Sequence, residues 1–125
     1  MATIETKKGT MDFDEFLRLE QRDPIYAALI SRDLLSQREI LTFEDQEAIA
    51  NGKDWIEKAL LAERAEHEVC ASVQHRLVDT GDYRILIPLA SHTSNKDVWK
   101  RCMGHCANVR DAGAANKYFG SRRTA

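Results

Sequence analysis

No apolar run in this chain is long enough to cross a bilayer. The longest, Ile85-Leu-Ile-Pro-Leu-Ala90, falls far short of the ~20 residues a spanning helix needs. The first residues, Met1-Ala-Thr-Ile-Glu-Thr-Lys-Lys8, lack the apolar core of a signal peptide. Cysteine is scarce and odd in number, at three (Cys70, Cys102 and Cys106), with no spacing typical of a disulfide framework. Free thiols in a reducing, cytoplasmic setting are therefore expected.

Signatures of chemistry are missing as well. There is no Gly-x4-Gly-Lys-Ser/Thr loop, no Gly-x-Gly-x-x-Gly after a strand and no Gly-x-Ser-x-Gly elbow. His-Glu-x-x-His is absent, since His67-Glu68 runs on into Val, Cys and Ala. A di-iron bundle needs Glu-x-x-His pairs, and Glu63-x2-Glu66-His67 supplies none. These absences argue against an enzyme and assign no cofactor.

What is present reads as one ordinary globular core. The chain has 125 residues, 43% hydrophobic and 30% charged, enough for a single domain without a metal or disulfide staple. The expected layout is a flexible N-terminus over 1–10, a helical domain over 11–120 and a basic tail over 121–125. Asp12-Phe-Asp-Glu15 and Thr42-Phe-Glu-Asp45 have the form of capping boxes. Asp23-Pro24 pairs an N-cap with proline at the first helical position, starting a helix that ends near Gln37-Arg38. Gly52 is a candidate left-handed helix terminus.

One long helix is predicted from about Asp54 to Asp79. Trp55, Ala59, Ala62, Val69, Cys70, Val73 and Leu77 fall on a single stripe at 100° per residue. Tyr83–Leu89 reads as the one β-like segment, and its internal proline demotes it to an edge strand or an extended buried connection. Ser94 caps a last helix running to about Arg110. The fold class is therefore all-α or nearly so: a compact bundle of four to five helices with one short extended segment near 83–89.

Three groups are candidate sites. His67, Cys70, Cys102 and Cys106 offer soft ligands at helical spacing, which could converge on a tetrahedral metal ion. Against that, Val98, Trp99, Cys102, Cys106 and Val109 share one stripe, where cysteine behaves as a small buried hydrophobe. Glu66 falls near the centre of the apolar stripe of the long helix. It is either a buried carboxylate of raised pKa, or a sign that the helix is open to solvent there.

The third group is electrostatic. Residues 1–92 carry 11 Lys/Arg against 18 Asp/Glu, whereas residues 93–125 carry 7 against 2. Lys96, Lys100, Arg101, Arg110, Lys117, Arg122 and Arg123 make up this basic quarter, with Tyr118 and Phe119 among them. They suit an acidic protein patch or a phosphate backbone. The sequence pI of about 6.1 fits nucleic acid poorly. The expected function is a small interaction module acting on another protein, with nucleic-acid binding and a His/Cys metal site as alternatives and no membrane role.

Overall fold

A computed structural model describes residues 2–107, and among these the chain is mostly helical. Two strands, β1 (Thr3–Thr6) and β2 (Gly9–Asp12), precede seven helices. These are α1 (Phe13–Arg22), α2 (Pro24–Ser31), α3 (Phe43–Asn51), α4 (Trp55–Ala62), α5 (Ala71–Asp79), α6 (Tyr83–His92) and α7 (Lys96–Ala107). A single 3₁₀ turn, Leu35–Gln37, lies between α2 and α3.

The N-terminal decapeptide, expected to be flexible, is an antiparallel hairpin with Thr3 opposite Asp12 and Thr6 opposite Gly9. The two-residue turn Lys7-Lys8 feeds Gly9 at φ +111°, a backbone state that favours glycine. The hairpin is held because one face is apolar: Ile4 and Met11 pack on Phe16, Ala27 and Ile30 of α1 and α2. Lys7 N–H also donates to the Ile30 carbonyl at 2.7 Å. Asp23 caps α2 as the Asp-Pro pair predicts, accepting from Tyr26 N–H at 3.1 Å. The Asp12 side chain makes no cap bond, so that capping box does not form.

The second and larger core gathers Leu61 of α4, Val73 and Leu77 of α5, Leu86 and Leu89 of α6, and Val98 of α7. A smaller cluster of Ala28, Leu34 and Leu60 joins it to the N-terminal unit. Thr42 and Asp45 form the reciprocal capping box at the start of α3. Gly52 has φ −74° and is not left-handed; Gly81, at φ +65°, takes that role after α5. The cap of α7 is Asn95 rather than Ser94, its Oδ1 accepting from Asp97 N–H at 2.9 Å.

The predicted long helix is broken. Residues 63–70 leave helical geometry between α4 and α5, and this raises the helix count above the expected four to five. A straight continuation would carry Glu66 into the interior, whereas the break leaves its side chain 62% exposed beside His67. Two buried glutamines satisfy the freed backbone. Gln74 donates to the carbonyls of Ala65 (3.1 Å) and Val69 (2.9 Å) and accepts from the Thr93 hydroxyl. Gln46 donates to the Glu68 carbonyl (2.9 Å) and accepts from Cys70 N–H (2.8 Å).

The expected extended segment is also corrected: 83–89 belongs to helix α6, despite Pro88. Ile85, Leu86, Leu89 and Ala90 are all buried, at the i, i+1, i+4, i+5 spacing of one helical face. Their burial, at roughly 1.5–3 kcal/mol for each large aliphatic side chain, outweighs the ~3 kcal/mol that an interior proline costs. Removing the amide of Gln74 should strand two buried carbonyls. Gln74→Ala is expected to lower unfolding stability by about 2–4 kcal/mol, read as a lower urea midpoint at unchanged m-value.

Candidate functional site

An apolar cleft of about 490 Å³ separates the N-terminal unit from α4. Phe16 and Pro24 line one side, Trp55 and Ile56 the other, and Glu20, Ser31 and Arg32 stand among them. Its volume falls in the range of ordinary binding clefts. It exists because two helix ends meet here. Arg32 is the C-cap residue of α2, and its guanidinium reaches Asp54, the N-cap of α4, at 2.9 Å. Asp54 at the same time accepts from Ile56 N–H at 3.0 Å. One carboxylate thus starts α4 and ties it to α2.

Trp55 is fixed from behind. The Arg84 guanidinium carbon lies 4.1 Å from the centroid of its ring, within the range of a favourable cation–π contact. Arg84 is itself clamped by Asp82, Nε to Oδ1 at 3.0 Å and Nη2 to Oδ2 at 2.6 Å. Asp82 also caps α6 through Arg84 N–H at 3.0 Å. The side-chain hydrogen bonds from Arg84 hold the Asp82 carboxyl below the usual aspartate range, and the same pairing raises the Arg84 guanidinium.

The cleft opens onto an exposed apolar ridge. Phe13, Phe16, Leu17 and Glu20 are spaced i, i+3, i+4, i+7 and share one face of α1. Phe16 is buried and lines the cleft, whereas Phe13 and Leu17 are each 40% exposed. Ile40 and Phe43 are exposed too, but scattered surface hydrophobes are ordinary. Continuity with a cleft distinguishes the α1 pair. The arginines of α1 are elsewhere: Arg18 and Arg22 line a separate groove with Met11, Glu15 and Leu19. Glu20 makes no ion pair among the described residues, and Arg32 is already committed to Asp54. The cleft side of α1 is therefore acidic.

Among the described residues, those singled out from sequence do not converge on one site, although His67 Nε2 lies 3.6 Å from Glu66 Oε1. Glu66 is exposed, which corrects the buried-carboxylate reading. His67 and Cys70 lie on the exposed connection between α4 and α5, while Cys102 is fully buried in the larger core. Cys106 falls in the last turn of α7. Among the described residues no group of three or more His, Cys, Asp or Glu could hold a metal ion.

Lys96 and Lys100 are exposed on α7. Arg101 is not free: it pairs with Asp79 and reaches His75 Nδ1 at 3.0 Å. Arg110, Lys117, Arg122 and Arg123 lie outside the described residues. No helix among the described residues is long and apolar enough to cross a membrane. No protein-family model, curated protein or solved structure matches this chain.

The cleft was missed by sequence reasoning because its walls come from four elements. Only the Phe13–Leu17 spacing marked one edge. The Asp82–Arg84 pair gives a pH test. A carboxyl depressed in the folded state contributes stability that is present above its ordinary value of about 3.9. That contribution is lost as pH falls from there through the lower folded-state value. In Arg84→Met the Asp82 carboxyl should titrate higher than in the wild type, because the guanidinium that lowers it most is gone while the backbone N–H bond is kept, and the acid-limb loss should shrink, as followed by carboxyl NMR shifts and urea midpoints between pH 2 and 6.

Proposed function

We propose that this protein is an interaction module that receives an amphipathic helix of a partner protein on the α1 ridge and in the cleft beside it. The observation that carries this reading is the pair Phe13 and Leu17, exposed on a helix whose neighbouring residue Phe16 is buried in the cleft wall. Large apolar groups left in water next to a preformed apolar cleft favour burial, at about 25 cal/mol per Å² removed from solvent. Helix-in-groove recognition uses such i, i+3, i+4 anchors. The acidic side chain of Glu20, with Asp14 close by in sequence, favours a partner helix carrying lysine or arginine beside its apolar stripe.

Rigidity supports the same reading. Trp55 is held by Arg84 and the two walls are pinned by Arg32 and Asp54, so little ordering entropy is lost on binding. The test is capture from a lysate of the native cells, comparing wild type with Phe13→Ser/Leu17→Ser. The captured partner should fall at least tenfold in the variant while far-UV circular dichroism is unchanged. Equal capture by both proteins, or none by wild type, would overturn the proposal.

A further inference from the structure

We infer that the groove between the hairpin and α1 is a second binding surface, which takes an acidic, extended peptide segment of a partner protein on Arg18 and Arg22. It lies away from the ridge of Phe13 and Leu17, on the other side of the same helix. At about 100° per residue, Arg22 stands opposite Phe13. The groove has a volume of about 310 Å³, with Met11 of β2 and Leu19 of α1 as its apolar lining and Arg18 and Arg22 as its cations.

The two arginines differ from the rest in what they lack. Arg32, Arg38, Arg64, Arg76, Arg84 and Arg101 each pair with a carboxylate. Arg18 and Arg22, both exposed, form no ion pair among the described residues, and they line the same groove. Carboxylates are not scarce, since residues 1–92 hold 18 Asp/Glu against 11 Lys/Arg. Complementing the helix dipole accounts for Arg22, which lies in the last turn of α1, but not for Arg18 one turn earlier. Each guanidinium offers parallel N–H donors that match a carboxylate.

Spacing and size decide what fits. Arg18 and Arg22 are four residues apart on a helix, about 6 Å along its axis. Alternate side chains of an extended chain recur at nearly that interval, about 6.6–6.8 Å. A segment of the form acid-x-acid therefore sets one carboxylate on each guanidinium. The groove is too small for a whole helix, roughly 10–12 Å across, and suits a few side chains. Met11 and Leu19 cover an apolar residue beside the acidic pair. Glu15, in the same lining, and the acidic body both repel a nucleic-acid strand, which carries a phosphate at every residue.

Fluorescence anisotropy of the full chain with the labelled peptide Gly-Glu-Leu-Glu-Leu-Gly tests this. Wild type should bind it saturably, more weakly as salt rises, and should not bind the peptide with glutamine in place of glutamate. Arg18→Gln/Arg22→Gln should weaken binding about tenfold or more, while Phe13→Ser/Leu17→Ser leaves it unchanged. Peptide-induced NMR shifts should centre on the Arg18 and Arg22 Nε–H groups and the Met11 and Leu19 methyls. Those shifts are read on wild type, so they do not depend on how the variants fold. No saturable binding, equal binding by the arginine variant, or shifts centred on Lys96 and Lys100 would each overturn the inference. So would tighter binding of an oligothymidylate of equal charge through the same arginines, which would make the groove a phosphate site.

Discussion

The arrangement of the larger core depends on one constraint: backbone polar groups freed at a helix break must find partners inside the protein. Residues 63–70 turn the chain between α4 and α5, and their carbonyls and amide would be costly to bury unpaired. Gln46 and Gln74 meet that need from two different helices. Thr93, at the end of α6, completes the group by donating to Gln74. α3, α5 and α6 are thereby locked to the same connection. With α5 redirected, Leu77, Leu86, Leu89 and Val98 can share one interior.

The cleft follows from a different logic, in which acidic residues at helix starts carry two duties. Asp54 caps α4 and pairs with Arg32, and Asp82 caps α6 and clamps Arg84. Each carboxylate lies at the positive end of a helix and also fixes a guanidinium at the cleft or behind Trp55. The result is a surface whose polar anchors are satisfied internally, while its apolar groups face outward.

Local signals were legible in the residues. Asp23-Pro24 and the Thr42–Asp45 box both mark real element ends, because each acts through its own neighbours within three or four positions. Glu66 was also informative, though not as a reactive group. Its place on the stripe of an assumed continuous helix is accounted for by the break, which leaves it exposed. The segment 83–89 misled, since its apolar, β-like run with Pro88 fitted an edge strand, yet Ile85, Leu86, Leu89 and Ala90 are buried along one face of a helix.

By itself the sequence determined a mainly helical chain, an acidic body with a basic end, and the caps that start several helices. These properties depend on composition and on contacts a few residues apart. The tertiary structure alone decided the break at 63–70, the hairpin at the N-terminus and the cleft between α1, α2 and α4. The break and the cleft draw on partners more than twenty residues distant along the chain, Gln46 with Cys70 and Arg32 with Asp54. Periodicity carries no information about such pairings, because the entropy of closing the loop is repaid only by contacts that do not exist until the chain has folded.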